Sequence, residues 1–295
     1  MLRGFLMGSA DVVPGVSGGT IALVFGIYRR LVANIRQASA ALGRAVRLDL
    51  AAAGRALGRV EWLWLIPLLV GVGLAIITLA RVIETLLEEH PARMAAVFFG
   101  LVAASSVVAW RLLTTRGPRQ VAILTVVGVA VFVALGFGGG EATDPPLWVF
   151  LPSGALAICA MILPGVSGSF LLLTVGMYEP VLDAVNDRDL AVLVVFLLGC
   201  AVGLALFSSV LHWALETHYN TVMAALVGLM LGSLRVLWPW PDGTDSTSLG
   251  APPADDWWIP VALAAVAAAV VLAISATATR REQRERVLDA YDVDG

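Results

Sequence analysis

Two stretches of this chain repeat one another 150 residues apart. Asp11–Tyr28 reads DVVPGVSGGTIALVFGIY and Met161–Tyr178 reads MILPGVSGSFLLLTVGMY. Each sets Pro-Gly-Val-Ser-Gly inside an apolar run. Proline removes a backbone donor and clashes with the preceding turn, and glycine weakens a helix interior by about 1 kcal/mol. Neither run is therefore one continuous helix. In hydrocarbon the freed N–H and C=O groups find no water, so such a break is tolerated only where it lines a protected or water-filled site. The same break in two matching places calls for two interrupted helices that serve one purpose.

The surroundings are those of a membrane protein. Six further apolar runs are Trp62–Leu87, Ala92–Trp110, Val121–Phe137, Ala191–Leu215, Thr221–Trp238 and Trp257–Thr279. About 20 apolar residues cross a bilayer as helix. Trp62, Trp64, Trp110, Trp213, Trp238, Trp257 and Trp258 sit near the run ends, as an interfacial belt does. Of all residues 59% are hydrophobic and 14% charged, against about half and a quarter in a soluble domain. That balance excludes a soluble enzyme, and no nucleic-acid partner is expected. Cys159 and Cys200 read as small buried hydrophobes. Glu88, His90, Glu216 and His218 supply no third ligand, so no metal and no cofactor are expected. The N-terminal run lacks a signal-peptide layout, because Asp11, Pro14 and a glycine cluster interrupt it.

The repeat outlasts the motif. Gly71, Glu88, His90, Gly100 and Trp110 match Gly199, Glu216, His218, Gly228 and Trp238 at an offset of 128. The first half thus carries 22 extra residues within Arg29–Glu61, an Arg/Ala/Leu stretch that reads as a basic amphipathic helix on a membrane surface. The organisation expected is a first repeat over 1–137 (hairpin 1–28, insertion 29–61, three spans). A second follows over 138–279 (hairpin 147–183, three spans), then a charged tail over 280–295. Charge selects the topology. If each motif segment is re-entrant, 15 of the 19 arginines share one side with both termini. The other side collects Glu88, Glu89, Glu141, Asp144, Asp187, Asp189, Asp242, Asp245, Asp255 and Asp256. If both segments crossed fully, the arginine-rich tail would lie opposite Arg29–Glu61, against the positive-inside rule. Three spans per half is an odd number, so the halves have opposite orientation. The expected fold is an all-α polytopic membrane protein: an inverted repeat, each half a re-entrant helical hairpin plus three transmembrane helices, with both termini cytoplasmic.

A helix that restarts after the break presents unpaired N–H groups and the positive end of its dipole. Ser17, Thr20, Ser167 and Ser169 add hydroxyl donors, and glycine lets backbone approach a ligand closely. Such a tip suits an anion, phosphate above all. Two tips from opposite faces would build one site near the midplane. Tyr28 and Tyr178 are expected as interfacial anchors. Asp11 is an intramembrane carboxylate with Met161 as its counterpart. It is either a local cap or a switch for proton or sodium coupling. Arg81 and Arg235 lie toward the outer ends of their spans, where they either snorkel or draw an anionic headgroup inward.

The phrases MGSADVVPGVSGGTIALVFGIYRRL and ILPGVSGSFLLLTVGMYEPVL resemble a prokaryotic membrane family, the PopT-type polyprenyl-phosphate transporters, over nearly the whole chain. The resemblance implies a flippase moving undecaprenyl phosphate or a similar polyprenyl phosphate from outer to inner leaflet, so that the lipid carrier is recycled for cell-envelope synthesis. It implies a prokaryotic inner-membrane location and a lipid partner. The implied phosphate site is Pro14, Gly15, Ser17, Gly18, Gly19 and Thr20 with Pro164, Gly165, Ser167, Gly168 and Ser169, joined by Asp11. The loop also resembles the PGxSRS loop of undecaprenyl-pyrophosphate phosphatases. There an arginine follows the serine, but here Gly18 and Gly168 stand in that place. Phosphate cleavage needs charge neutralisation and an activated nucleophile, so the shared loop argues for headgroup binding without the chemistry. The competing readings are a carrier or channel for a small ion or solute and, behind it, an integral membrane phosphatase.

Overall fold

The computed structural model of the chain describes residues 1–11, 17–46, 48–137, 145–241, 243, 248–253 and 255–293. The regular elements of the described residues are all helices, joined by turns and short loops, with no strand among them. In the first half the helices are α1 (Leu2–Asp11), α2 (Gly18–Val24), α3 (Tyr28–Val46), α4 (Leu50–Leu57), α5 (Trp62–Glu89), α6 (Pro91–Arg111) and α7 (Pro118–Ala134). In the second they are α8 (Phe150–Ile162), α9 (Gly168–Thr174), α10 (Tyr178–Asn186), α11 (Leu190–Thr217), α12 (Tyr219–Ser233) and α13 (Trp258–Val293). All six expected spans are helices. Four of them, α5, α6, α11 and α13, are long and apolar enough to cross a membrane. At 17 and 15 residues α7 and α12 are shorter, about 25 and 23 Å at 1.5 Å per residue. The chain is an all-helical, multi-pass membrane protein.

The second break, between Ile162 and Gly168, falls at Pro164-Gly165; the first separates Asp11 from Gly18; and the two restarted helices end alike. Both α2 and α9 are seven residues long, with Ser17 and Ser167 at their N-caps. Gly26 (φ 65°) and Gly176 (φ 73°) then turn left-handed. The amides of Ile27 and Met177 reach back to the Ala22 and Leu172 carbonyls at 2.9 and 2.8 Å. This is the six-to-one closure of a Schellman motif, which needs a residue free to adopt positive φ.

Hydrophobicity does not draw helices together inside lipid, so small residues that permit close backbone approach become decisive. α1 packs on α5, and α8 packs on α11. A Cβ at Gly4 would collide with the Leu68 carbonyl, and one at Gly154 with the Phe196 carbonyl. Gly71 faces the Met1 carbonyl in the same way that Gly199 faces that of Leu151. These four positions correspond at the offsets of 150 and 128 read from the sequence. The other crossings exchange partners between halves: α6 packs on α13 and α7 on α12. Gly100 meets the Ala264 carbonyl there, and Gly228 meets that of Leu124.

The insertion differs in shape from the single surface helix expected. It forms two helices, α3 and α4, because Leu48 adopts φ 61° and Asp49 caps α4 through the Ala52 amide at 2.9 Å. α3 packs against α11 and α4, burying Val32 completely and pairing Ser39 with Ser208 at 3.2 Å. At its start Arg30 is ion-paired with Glu61 and stacks over Trp64 at 4.6 Å. Hydrogen bonding from Arg30 holds the exposed Glu61 carboxyl below its ordinary value. Of the acidic residues weighed for topology, Glu141, Asp144, Asp242 and Asp245 lie outside the described residues.

Candidate functional site

The two motif segments meet. The Ser17 hydroxyl donates to the Met161 carbonyl at 3.1 Å, the Tyr28 hydroxyl to the Ile162 carbonyl at 3.1 Å, and the Gly165 amide to Thr20 Oγ1 at 2.9 Å. Each bond joins residues at least 134 positions apart. Ser17, Thr20 and Tyr28 are all but inaccessible, at 1%, 0% and 2% exposure. A buried polar group without a partner costs about 1–3 kcal/mol, so these three bonds fix the register of one tip on the other. Tyr28 is thus a buried strut and not the interfacial anchor expected.

The glycines serve the same contact. A Cβ at Gly19 would lie 2.9 Å from the Ile162 carbonyl oxygen and 3.4 Å from the Pro164 nitrogen. One at Gly168 would lie 2.7 Å from the Ala157 oxygen, and one at Gly18 would press on the Asp11 carboxylate. Gly165 has φ +84° and faces Met230. In this structure the closeness that glycine permits is between protein segments, where the sequence suggested a ligand.

Beside the contact lies a cavity of about 210 Å³ lined by Asp11, Ser17, Met161, Val166, Ser167, Gly168 and Ser169. It draws on both halves, but they are not equal. At the first tip the α2 N-terminus is already satisfied. The Gly18 amide donates to Asp11 Oδ1 at 2.5 Å, and the Gly19 amide to Ser17 Oγ at 3.1 Å. At the second tip Ser167 makes no side-chain cap, and its hydroxyl pairs with that of Ser169 at 2.8 Å. Two hydroxyls that share one hydrogen bond keep a second hydrogen to offer. The asymmetry follows from one substitution within the repeat: the residue matching Asp11 is Met161, which has no charge to place on its helix.

Of the expected site residues, Asp11, Ser17, Ser167, Gly168 and Ser169 line the cavity. Gly19, Thr20, Pro164 and Gly165 hold the tips together around it, and Gly18 meets Asp11 within the first tip. Pro14 and Gly15 lie outside the described residues. Arg81 is exposed on α5. Arg235 lies past the end of α12, stacked over Phe132 at 4.8 Å. Neither arginine reaches the cavity. Sequence reasoning missed Met161 and Val166 as lining residues, since apolar residues beside a motif carry no chemical signal. Among the described residues no group of His, Cys, Asp and Glu could hold a metal ion.

A polytopic helical protein with paired helix breaks around a small polar cavity has the build of a membrane transporter. The chain matches the model of the VCA0040-like, undecaprenyl phosphate translocase-like family over residues 7–250 and belongs to that family. It is 42% identical over 245 residues to the polyprenyl-phosphate transporter of Vibrio cholerae serotype O1, covering 82% of this chain and 77% of the relative. It is 29% identical over 261 residues to the polyprenyl-phosphate transporter of Staphylococcus aureus, covering 81% and 85%. Both relatives carry a transporter's name, in line with the reading that this chain is not an enzyme. No solved structure matches the chain.

Proposed function

We propose that this protein moves undecaprenyl phosphate, or a similar polyprenyl phosphate, from the outer to the inner leaflet of a prokaryotic inner membrane, and so recycles the lipid carrier for envelope synthesis. The observation that carries the reading is the single cavity to which both motif segments contribute. The substrate named for both relatives, an apolar chain with one phosphate, supports it. The headgroup sits at the second tip, on the Ser167 and Ser169 hydroxyls and the start of α9. The matched glycine crossings of α1 on α5 and α8 on α11 support two halves of opposite orientation. The arginine distribution supports cytoplasmic termini.

Asp11 makes the site conditional. Two unit charges about 4 Å apart repel by about 4 kcal/mol at an effective dielectric of about 20. A phosphate entering beside an ionised Asp11 therefore brings a proton or sodium ion with it. The same step lowers the charge carried inward, which matters because each charge moved against the potential costs about 2.3 kcal/mol per 100 mV. Asp11 is thus the coupling residue, and Arg81 and Arg235 act at most in capturing headgroups at the outer surface.

The test is leaflet-to-leaflet movement of polyprenyl phosphate in proteoliposomes, with an imposed proton or sodium gradient on and off. The double variant Ser167→Ala/Ser169→Ala should lose about tenfold or more in affinity, the worth of hydrogen bonds to a charged group. Asp11→Asn should keep transport and lose its response to the gradient. Wild-type rates in the double variant would refute the headgroup site. An Asp11→Asn protein that responds to both gradients as wild type does would refute the coupling.

A further inference from the structure

A polyprenyl phosphate has two parts, and the cavity at the tips accommodates only one. Its lining is polar on one wall and too small for an isoprenoid chain. The ester bond leaves the phosphate directly into that chain, so apolar surface must begin within a few ångströms of the headgroup. Among the described residues such a surface lies beside the tips. A cleft of about 260 Å³ opens between α1, α2, α5, α6 and α13. Its floor includes Ala10, Ile21, Phe98 and Val271, all buried, and its rim includes Leu6 and Val270, both exposed.

Two features tie this cleft to the tip cavity, and a third keeps it apolar. Ala10 lines the cleft and its neighbour Asp11 lines the cavity. Ser17, the N-cap of α2, belongs to the cavity and Ile21 of α2 to the cleft. Four residues of helix separate them by about 6 Å along one face. The one hydroxyl in the cleft wall, that of Ser9, is turned back onto the Phe5 carbonyl at 2.8 Å, which leaves the wall without a free polar group. A second apolar groove, on α7 and α12, is differently placed. It is lined by Leu231 and Gly232, whereas Met230 and Ser233 are the α12 residues that face the second tip at Gly165.

We propose that the cleft between α1, α2, α5, α6 and α13 receives the phosphate-proximal isoprene units of the substrate, and that its exposed rim between Leu6 and Val270 is the lateral gate through which the rest of the chain lies in the bilayer. The inference rests on the transport reading above and adds the seat of the tail. It explains why a short re-entrant hairpin is backed by an apolar gap: a chain can stay in lipid while its headgroup occupies a protein site.

The experiment uses the full chain in nanodiscs of phosphatidylethanolamine and phosphatidylglycerol. The probe is a polyprenyl monophosphate with a diazirine on the isoprene unit next to the phosphate. Labelled peptides should map to α2 at Val24 and Phe25, to α6 at Leu101 and to α13 at Val270, and excess undecaprenyl phosphate should abolish the label. Val24→Trp fills the cleft and should reduce labelling about tenfold or more, because each methylene denied burial is worth about fourfold in affinity. Val270→Trp, on the lipid-exposed rim where folding is not at stake, should do the same. Saturable label confined to Leu124, Phe132 and Leu231 would overturn the cleft and leave transport standing. So would label that excess phosphatidylglycerol displaces equally well, since the cleft would then hold ordinary lipid. No saturable label anywhere, together with no lipid movement in proteoliposomes, would overturn the transport reading and the cleft with it.

Discussion

Replacing Thr20 by valine isolates the contact between the tips. Thr20 is fully buried, and its Oγ1 accepts the Gly165 amide at 2.9 Å. Valine has nearly the same shape, so the change opens no cavity and leaves helix α2 intact. What it removes is the acceptor. Gly165 cannot turn its amide elsewhere, because its backbone is left-handed at φ +84° and packed on Met230. The penalty is therefore that of one buried N–H left unpaired, about 1–3 kcal/mol. Water cannot easily replace the acceptor at this depth, which places the effect toward the upper end. Hydrogen exchange at the Gly165 amide in nanodiscs should accelerate by about tenfold or more, since about 1.4 kcal/mol is a tenfold change. The thermal transition of the purified protein should fall with it. Thr20→Ser, which keeps Oγ1, should restore most of the protection. If Thr20→Val exchanges and melts as wild type does, the hydrogen bond across the tips does not hold the two segments together, and the argument for one shared cavity fails with it.

Two further outcomes test other parts of the fold. Gly100→Leu should unfold or aggregate the protein on gel filtration, because even its Cβ collides with the Ala264 carbonyl across the α6–α13 crossing and overpacking costs about 1–3 kcal/mol or more. Gly73→Leu, where a Cβ meets nothing within 4 Å, should be tolerated. At the start of α5, Arg30 depresses the Glu61 carboxyl. Its contribution is therefore present above the ordinary glutamate value and lost as the pH falls through the lowered one. Exchange at the Glu61 amide, which donates to Asn34 at 2.8 Å, should speed up at acid pH relative to its intrinsic rate, and Glu61→Gln should abolish that acid step.

The sequence by itself determined the class of the protein, its helices and the repeat. Long apolar runs bounded by tryptophan, proline and charge have few alternatives, so all six spans were legible, as were the two breaks at Pro-Gly. These are local features, decided by backbone donors and side chains within a turn of each other. The use of the motif residues was not local. Gly18, Gly19 and Gly168 read as openings for a ligand, and only the packing of Ile162, Ala157 and Asp11 against them shows the space to be filled by protein. Tyr28 read as an anchor because its partner, the Ile162 carbonyl, lies 134 residues away. The insertion read as one helix because a single left-handed residue, Leu48, leaves no compositional trace. The repeat already set Asp11 against Met161 and left Asp11 as either a local cap or a switch. Tertiary structure decided how that difference is used: the Asp11 carboxylate folds back onto the Gly18 amide, while Met161 can give α9 no such charge.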